Sequence, residues 1–182
     1  MEIHADITHI SYSEETIRQR VAEMGRELAA EYADKNPVFI GILKGAFVFL
    51  ADLVRACEFP LEPQFLKASS YGMAAVTSGK VDIADALDVD IAGRHVLIVE
   101  DIIDTGVTMS RLRELLLERK PASLKFCAFL DKAERRKANI AVDYAGYVTP
   151  DAFFVGYGLD YAERYRNLPY IGVLKPELYE EK

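Results

Sequence analysis

Residues 95–108 read His-Val-Leu-Ile-Val-Glu-Asp-Ile-Ile-Asp-Thr-Gly-Val-Thr, and this stretch decides the fold. His95 to Val99 is a short apolar run of the kind found in strands buried on both faces, and Glu100-Asp101 end it. Asp104-Thr105-Gly106 then turns the chain into a helix spanning Gly106 to Lys120. Leu112, Leu115 and Leu116 share one face of it, and Pro121 lies past its end.

The same alternation extends in both directions. Upstream, Ser13 with Glu14 and Glu15 is a capped helix start, and Ile17, Val21, Met24 and Leu28 recur at helical spacing until Asn36-Pro37. Val38 to Leu43 is a second buried strand, closed by Lys44-Gly45. Ala46 to Cys57 reads as a short helix and Leu61 to Ala68 as a further strand. Downstream, Leu124 to Leu130, Phe153 to Gly156 and Ile171 to Leu174 are strand candidates. Strands alternating with helices predict an α/β chain with a parallel, doubly wound sheet. No composition break marks a boundary, so residues 1–182 are expected to form one domain. The stretch from Ser69 to about Asp85 is rich in Ser, Gly and Thr and lacks a helical stripe; it reads as a mobile excursion.

Composition limits the partners. With 22 Lys plus Arg against 29 Asp plus Glu, the net charge is −7, the wrong sign for a general nucleic-acid coat. No apolar run reaches the ~20 residues of a membrane span, and the first residues carry no secretory pattern. A soluble, cytoplasmic protein is the expectation. Cys57 and Cys127, the only cysteines, sit in apolar surroundings and read as buried thiols.

In open α/β sheets, ligands bind beyond the carboxyl ends of the strands. Three segments fall there: Lys44-Gly45, residues 100–108, and the segment ending at Asp160. At Asp104-Thr105-Gly106, successive backbone N–H groups and the positive helix end can converge on an anionic oxygen, with Thr105 and Thr108 as hydroxyl donors. Glu100 and Asp101 suit ribose hydroxyls or Mg²⁺. The same residues would also serve an ordinary acidic turn with a helix cap.

The run 96–108 resembles the phosphoribosyl-pyrophosphate-binding signature of the type I phosphoribosyltransferases. Leu43-Lys44-Gly45, Ser69-Ser70-Tyr71-Gly72 and Val155-Gly156-Tyr157-Gly158-Leu159-Asp160-Tyr161 agree in order and spacing, which narrows the likeness to the 6-oxopurine enzymes, closest to the hypoxanthine-guanine form. The resemblance spans about residues 7–174. It implies that family's parallel sheet with a small hood and a mobile active-site loop. It also implies purine salvage: transfer of a phosphoribosyl group to hypoxanthine or guanine, with release of pyrophosphate.

By the same resemblance, the Leu43–Lys44 peptide is cis in the occupied site, and Lys44 and Gly45 hold pyrophosphate together with Arg166. Glu100 and Asp101 take the ribose hydroxyls, and Asp104, Thr105, Gly106, Val107 and Thr108 cradle the 5′-phosphate. Asp104 doubles as the general base. Lys132 donates to the purine's exocyclic oxygen; without the resemblance it would read as a solvated residue of the charged run Asp131 to Lys137. Phe154 stacks on the base with Ile102 on the other face. Asp160 borders the purine and ligates a second Mg²⁺, the first being held at Glu100 and Asp101. Ser69, Ser70 and Tyr71 close over the site. The family also implies a homodimer or homotetramer. The alternatives are a xanthine-preferring enzyme and a donor-binding regulator; the acidic composition counts against the latter.

Overall fold

The computed structural model describes residues 4–67 and 87–179. Its centre is a five-stranded, wholly parallel sheet in the order β3-β2-β4-β5-β6. The strands are β2 (Val38–Leu43), β3 (Glu62–Lys67), β4 (His95–Ile103), β5 (Ser123–Asp131) and β6 (Tyr144–Val148). Three further strands, β1 (Ile7–Tyr12), β7 (Phe154–Val155) and β8 (Ile171–Leu174), form a separate antiparallel sheet in the order β1-β8-β7.

The apolar runs are continuous because both faces of the central strands are covered. Val38, Ile40 and Ile42 face one core with Val96, Ile98, Phe126 and Ala128; there Leu112 and Leu116 of α3 (Val107–Leu117) pack on them. Phe39, Leu97, Val99, Cys127 and Phe129 alternate to the other core. That core is closed by α1 (Glu14–Tyr32), through Ile17, Val21, Met24 and Leu28, and by α2 (Phe47–Ala56), through Phe49, Leu50 and Leu53. Helices on opposite faces follow from right-handed crossovers that leave β2 and β4 in opposite directions across the sheet. The strand order therefore reverses between β2 and β4, and a ligand crevice belongs at that point.

The expected α1 cap is present: the Ser13 hydroxyl accepts from Thr16 N–H at 3.2 Å. Several boundaries differ from the sequence reading. β4 continues to Ile103, because Ile102 and Ile103 stay in register with Leu130 and Asp131 of β5. Glu100 and Asp101 thus lie within the strand, past the point (Gly41 opposite Val99) where its pairing with β2 ends. α3 stops at Leu117, short of Lys120. The candidates at 153–156 and 171–174 shorten or hold, but join the antiparallel sheet as a hood. β1 and β6 were not foreseen: β6 is an edge strand with only Gly146 buried, so its sequence carries little periodic signal. Ser69, Ser70 and Tyr71 lie outside the described residues.

Candidate active site

A cavity of about 370 Å³ opens at the β2/β4 reversal, lined by residues 42–45, by 100–106 with Thr108 and Met109, and by Asp160 and Arg166. The structure therefore gathers Lys44, Gly45, Glu100, Asp101, Ile102, Asp104, Thr105, Gly106, Thr108, Asp160 and Arg166 at one place. Val107 points to solvent, while Lys132 and Phe154 stand outside this lining.

The floor is acidic. Asp101 is buried, and its Oδ1 accepts from the Ile102 N–H at 2.8 Å. Glu100 Oε2 is buried with no hydrogen-bond partner. Burial, followed by the adjacent Asp101 charge, pushes the Glu100 carboxyl well above the usual carboxylate range. Burial likewise raises Asp101. A buried acceptor left unpaired is rare, and Glu100 Oε2 beside the Asp101 carboxyl calls for a cation or hydroxyl donors. This donor set fits Mg²⁺, which binds one or two carboxylates and completes its shell with water and substrate oxygens. No group of three His, Cys, Asp or Glu side chains among the described residues is close enough to hold a metal on its own.

Gly45 forms one wall. A Cβ built there would lie 2.5 Å from Asp101 Cγ and 2.9 Å from Oδ1, so only glycine lets the β2 loop approach the β4 acids. The Leu43–Lys44 peptide is cis, and the Lys44 ammonium reaches Glu163 at 3.1 Å on the surface.

The opposite wall is the start of α3. Gly106 is its N-cap at φ +75°, a left-handed conformation that suits glycine, and no side chain caps the first turn. The first-turn amides and the positive helix end are thus free to meet an anion. Arg166 closes the rim: Nη1 donates to the Gly158 carbonyl at 2.7 Å and Nη2 lies 2.8 Å from Asp160 Oδ1. The other Asp160 oxygen accepts from Glu163 N–H at 2.9 Å, so both of its oxygens are engaged.

Asp104 Oδ1 faces Arg135 Nε at 3.0 Å, off the N–H axis. Arg135 Nη1 donates to both Asp151 oxygens, at 3.1 and 3.2 Å, and Lys132 Nζ donates to Asp151 Oδ1 at 3.0 Å. Lys132 is buried rather than solvated, because β5 carries it inward and its N–H bonds to the Ile103 carbonyl at 3.0 Å. Its ammonium lies 5.8 Å from the centre of the Phe154 ring, which is itself buried and neighbours Tyr12. Phe153 faces the hood instead, stacked on Tyr179. Arg135 and Asp151 were missed by the sequence reading. They stand 16 positions apart, Arg135 in a 3-10 turn and Asp151 in a loop, and nothing in the charged run 131–137 distinguishes Arg135 from its neighbours.

The Phosphoribosyl transferase domain family matches residues 11–162 of this chain. Among curated relatives, the hypoxanthine-guanine phosphoribosyltransferase of Bacillus subtilis is 54% identical over 175 residues, covering 96% of this chain and 97% of the relative. The solved hypoxanthine phosphoribosyltransferase of Staphylococcus aureus superposes with a TM-score of 0.89 at 44% identity, covering 98% of this chain and 97% of that one. The Trypanosoma cruzi enzyme complexed with the product IMP gives 0.86 at 38% identity, covering 98% and 96%.

Proposed function

From the premise that this chain belongs to the phosphoribosyltransferase family, we propose that it is a purine-salvage pentosyltransferase. It moves the 5-phosphoribosyl group of 5-phosphoribosyl-1-pyrophosphate to hypoxanthine or guanine, giving IMP or GMP and pyrophosphate. The observation that carries this reading is the cavity at the β2/β4 reversal, where an uncapped helix start and a glycine wall flank the Glu100 and Asp101 carboxyls.

In this reading the α3 amides, with Thr105 and Thr108, hold the 5′-phosphate, while Glu100 and Asp101 hold the ribose hydroxyls. Lys44, Gly45 and Arg166 hold the pyrophosphate. Lys132 donates to the exocyclic oxygen of the purine, with Ile102 and Phe154 bordering the base. Asp104 takes the proton from the purine ring as its nitrogen bonds to the anomeric carbon and the bond to pyrophosphate breaks. Arg135 faces only one oxygen of that carboxylate, Oδ1. Glu100 and Asp101 would hold Mg²⁺ together with substrate oxygens, and Asp160 would contribute to a second ion once Arg166 turns to pyrophosphate. Bound Mg²⁺ supplies neutralisation of the leaving group.

The net charge of −7 does not oppose an anionic donor, because the positive groups are local: the helix start, Arg166, Lys44, Lys132 and Arg135. The reading includes a single domain, a cytoplasmic setting and a dimer or tetramer. Among the described residues, no helix is long and apolar enough to cross a membrane.

The test is pyrophosphate release from the donor with Mg²⁺, offered hypoxanthine, guanine, xanthine, adenine or uracil in turn. Release with hypoxanthine and guanine is expected. Silence with every 6-oxopurine would end the enzyme reading, and release with xanthine alone would move it to that base.

A further inference from the structure

We propose that Asp151 is the positioning residue through which Lys132 reads a 6-oxo purine, with Arg135 holding both oxygens of Asp151. The inference rests on the assignment of Lys132 to the purine made above.

The Lys132 side chain is 9% exposed, whereas that of Asp151 is 52% exposed. A buried ammonium needs a counter-charge. Among the described residues, Asp151 is the only carboxylate within 4.0 Å of Lys132 Nζ, at 3.0 Å. The backbone of Lys132 is pinned at both ends: its N–H bonds to Ile103 and its carbonyl accepts from Arg135 N–H, each at 3.0 Å. Freedom remains only in the four-carbon stem, and Asp151 removes it. Asp151 is in turn fixed by Arg135 Nη1 on both oxygens.

An ammonium has three donors and no acceptor. One donor is spent on Asp151, and the others remain for a carbonyl oxygen of the base. A 6-amino purine offers a donor there and meets no acceptor. Discrimination between oxo and amino bases therefore depends on the ammonium staying charged and in place. Without the Asp151 charge, the stem swings and the reading of the base is relaxed.

The experiment compares Asp151→Asn, Asp151→Glu, Lys132→Met and the double variant Lys132→Met/Asp151→Asn by steady-state kinetics. Because Asp151 is half exposed, its loss should raise the KM for hypoxanthine about tenfold, between the effects of a surface pair and a buried one. The KM for the donor should stay within about twofold, the preference for hypoxanthine over adenine should fall, and Asp151→Glu should recover most of the loss. In the Lys132→Met background, Asp151→Asn should add nothing. Should the asparagine variant fail to fold, Asp151→Ser reads the same quantities. An unchanged hypoxanthine KM in Asp151→Asn, or an equal loss in both backgrounds, overturns the proposal while leaving Lys132 in its role. An unchanged hypoxanthine KM in Lys132→Met overturns the role of Lys132 itself.

Discussion

Substituting Gly45 by alanine tests the geometry of the site at one atom. The added methyl would begin 2.5 Å from Asp101 Cγ and 2.9 Å from Oδ1, whereas real Cβ contacts essentially never fall below 3.0 Å. Asp101 has little room to give way, since it is buried and its Oδ1 is tied to the Ile102 N–H at 2.8 Å. Retreat of the carboxyl breaks that bond, and overpacking of this kind costs about 2 kcal/mol. For a chain of this size, the thermal midpoint should fall by roughly 4–8 °C. The kinetic signature is more specific. With Asp101 on the ribose as proposed, displacing its carboxylate by a fraction of an ångström should lower kcat/KM for the donor by roughly one to two orders of magnitude. The KM for hypoxanthine should stay within about threefold, because the proposed purine contact is at Lys132, which meets Asp151 rather than Asp101. Differential scanning calorimetry and initial rates at varied donor concentration measure both effects. A lowered midpoint with unchanged donor kinetics would refute the placement of Asp101 on the donor; unchanged values of both would refute the close approach of the two loops.

Asp104→Asn should cut turnover by about 10²–10⁴, the usual share of a general base, while calorimetric titration still detects the donor; wild-type turnover would remove Asp104 from the chemistry. Glu100 gives a pH signature opposite to that of a paired surface acid. Its folded carboxyl titrates well above its ordinary 4.5, so the folded state keeps a proton that the unfolded chain has lost. Stability of the free protein should then fall as pH rises from 4.5 through the raised value, and Glu100→Gln should gain on the wild type over that window. A midpoint difference that does not change with pH counts against the buried, unpaired carboxyl. The Cys57 thiol is pushed up to about 12 by burial, and burial raises Cys127 as well. At pH 8 only roughly one Cys57 in 10⁴ is thiolate, so a disulfide reagent should label the native protein slowly and the unfolded chain at once. Fast native labelling would contradict that burial.

Much of this protein is written locally. Runs such as Val38–Leu43 and His95–Val99 can be buried on both faces only in a covered parallel sheet, so the doubly wound core follows from sequence. Ser13 marks a helix start through its own hydroxyl, and Asp104-Thr105-Gly106 marks the turn at the strand end because only certain residues take such a backbone. The location of the site could be read in the same way, because strand ends are legible and ligands gather there. Pairing between distant segments was not legible. β4 runs on to Ile103 because β5 continues beside it, and β7 and β8 leave the main sheet because they pair with each other and with β1. The chain from Lys132 through Asp151 and Arg135 to Asp104 joins four charges that sequence spacing leaves unrelated. Sequence determined which residues could do the chemistry, since residue type and local backbone preference are properties of short segments. Tertiary structure alone decided which charge faces which, because a counter-ion is chosen by distance in space and by burial.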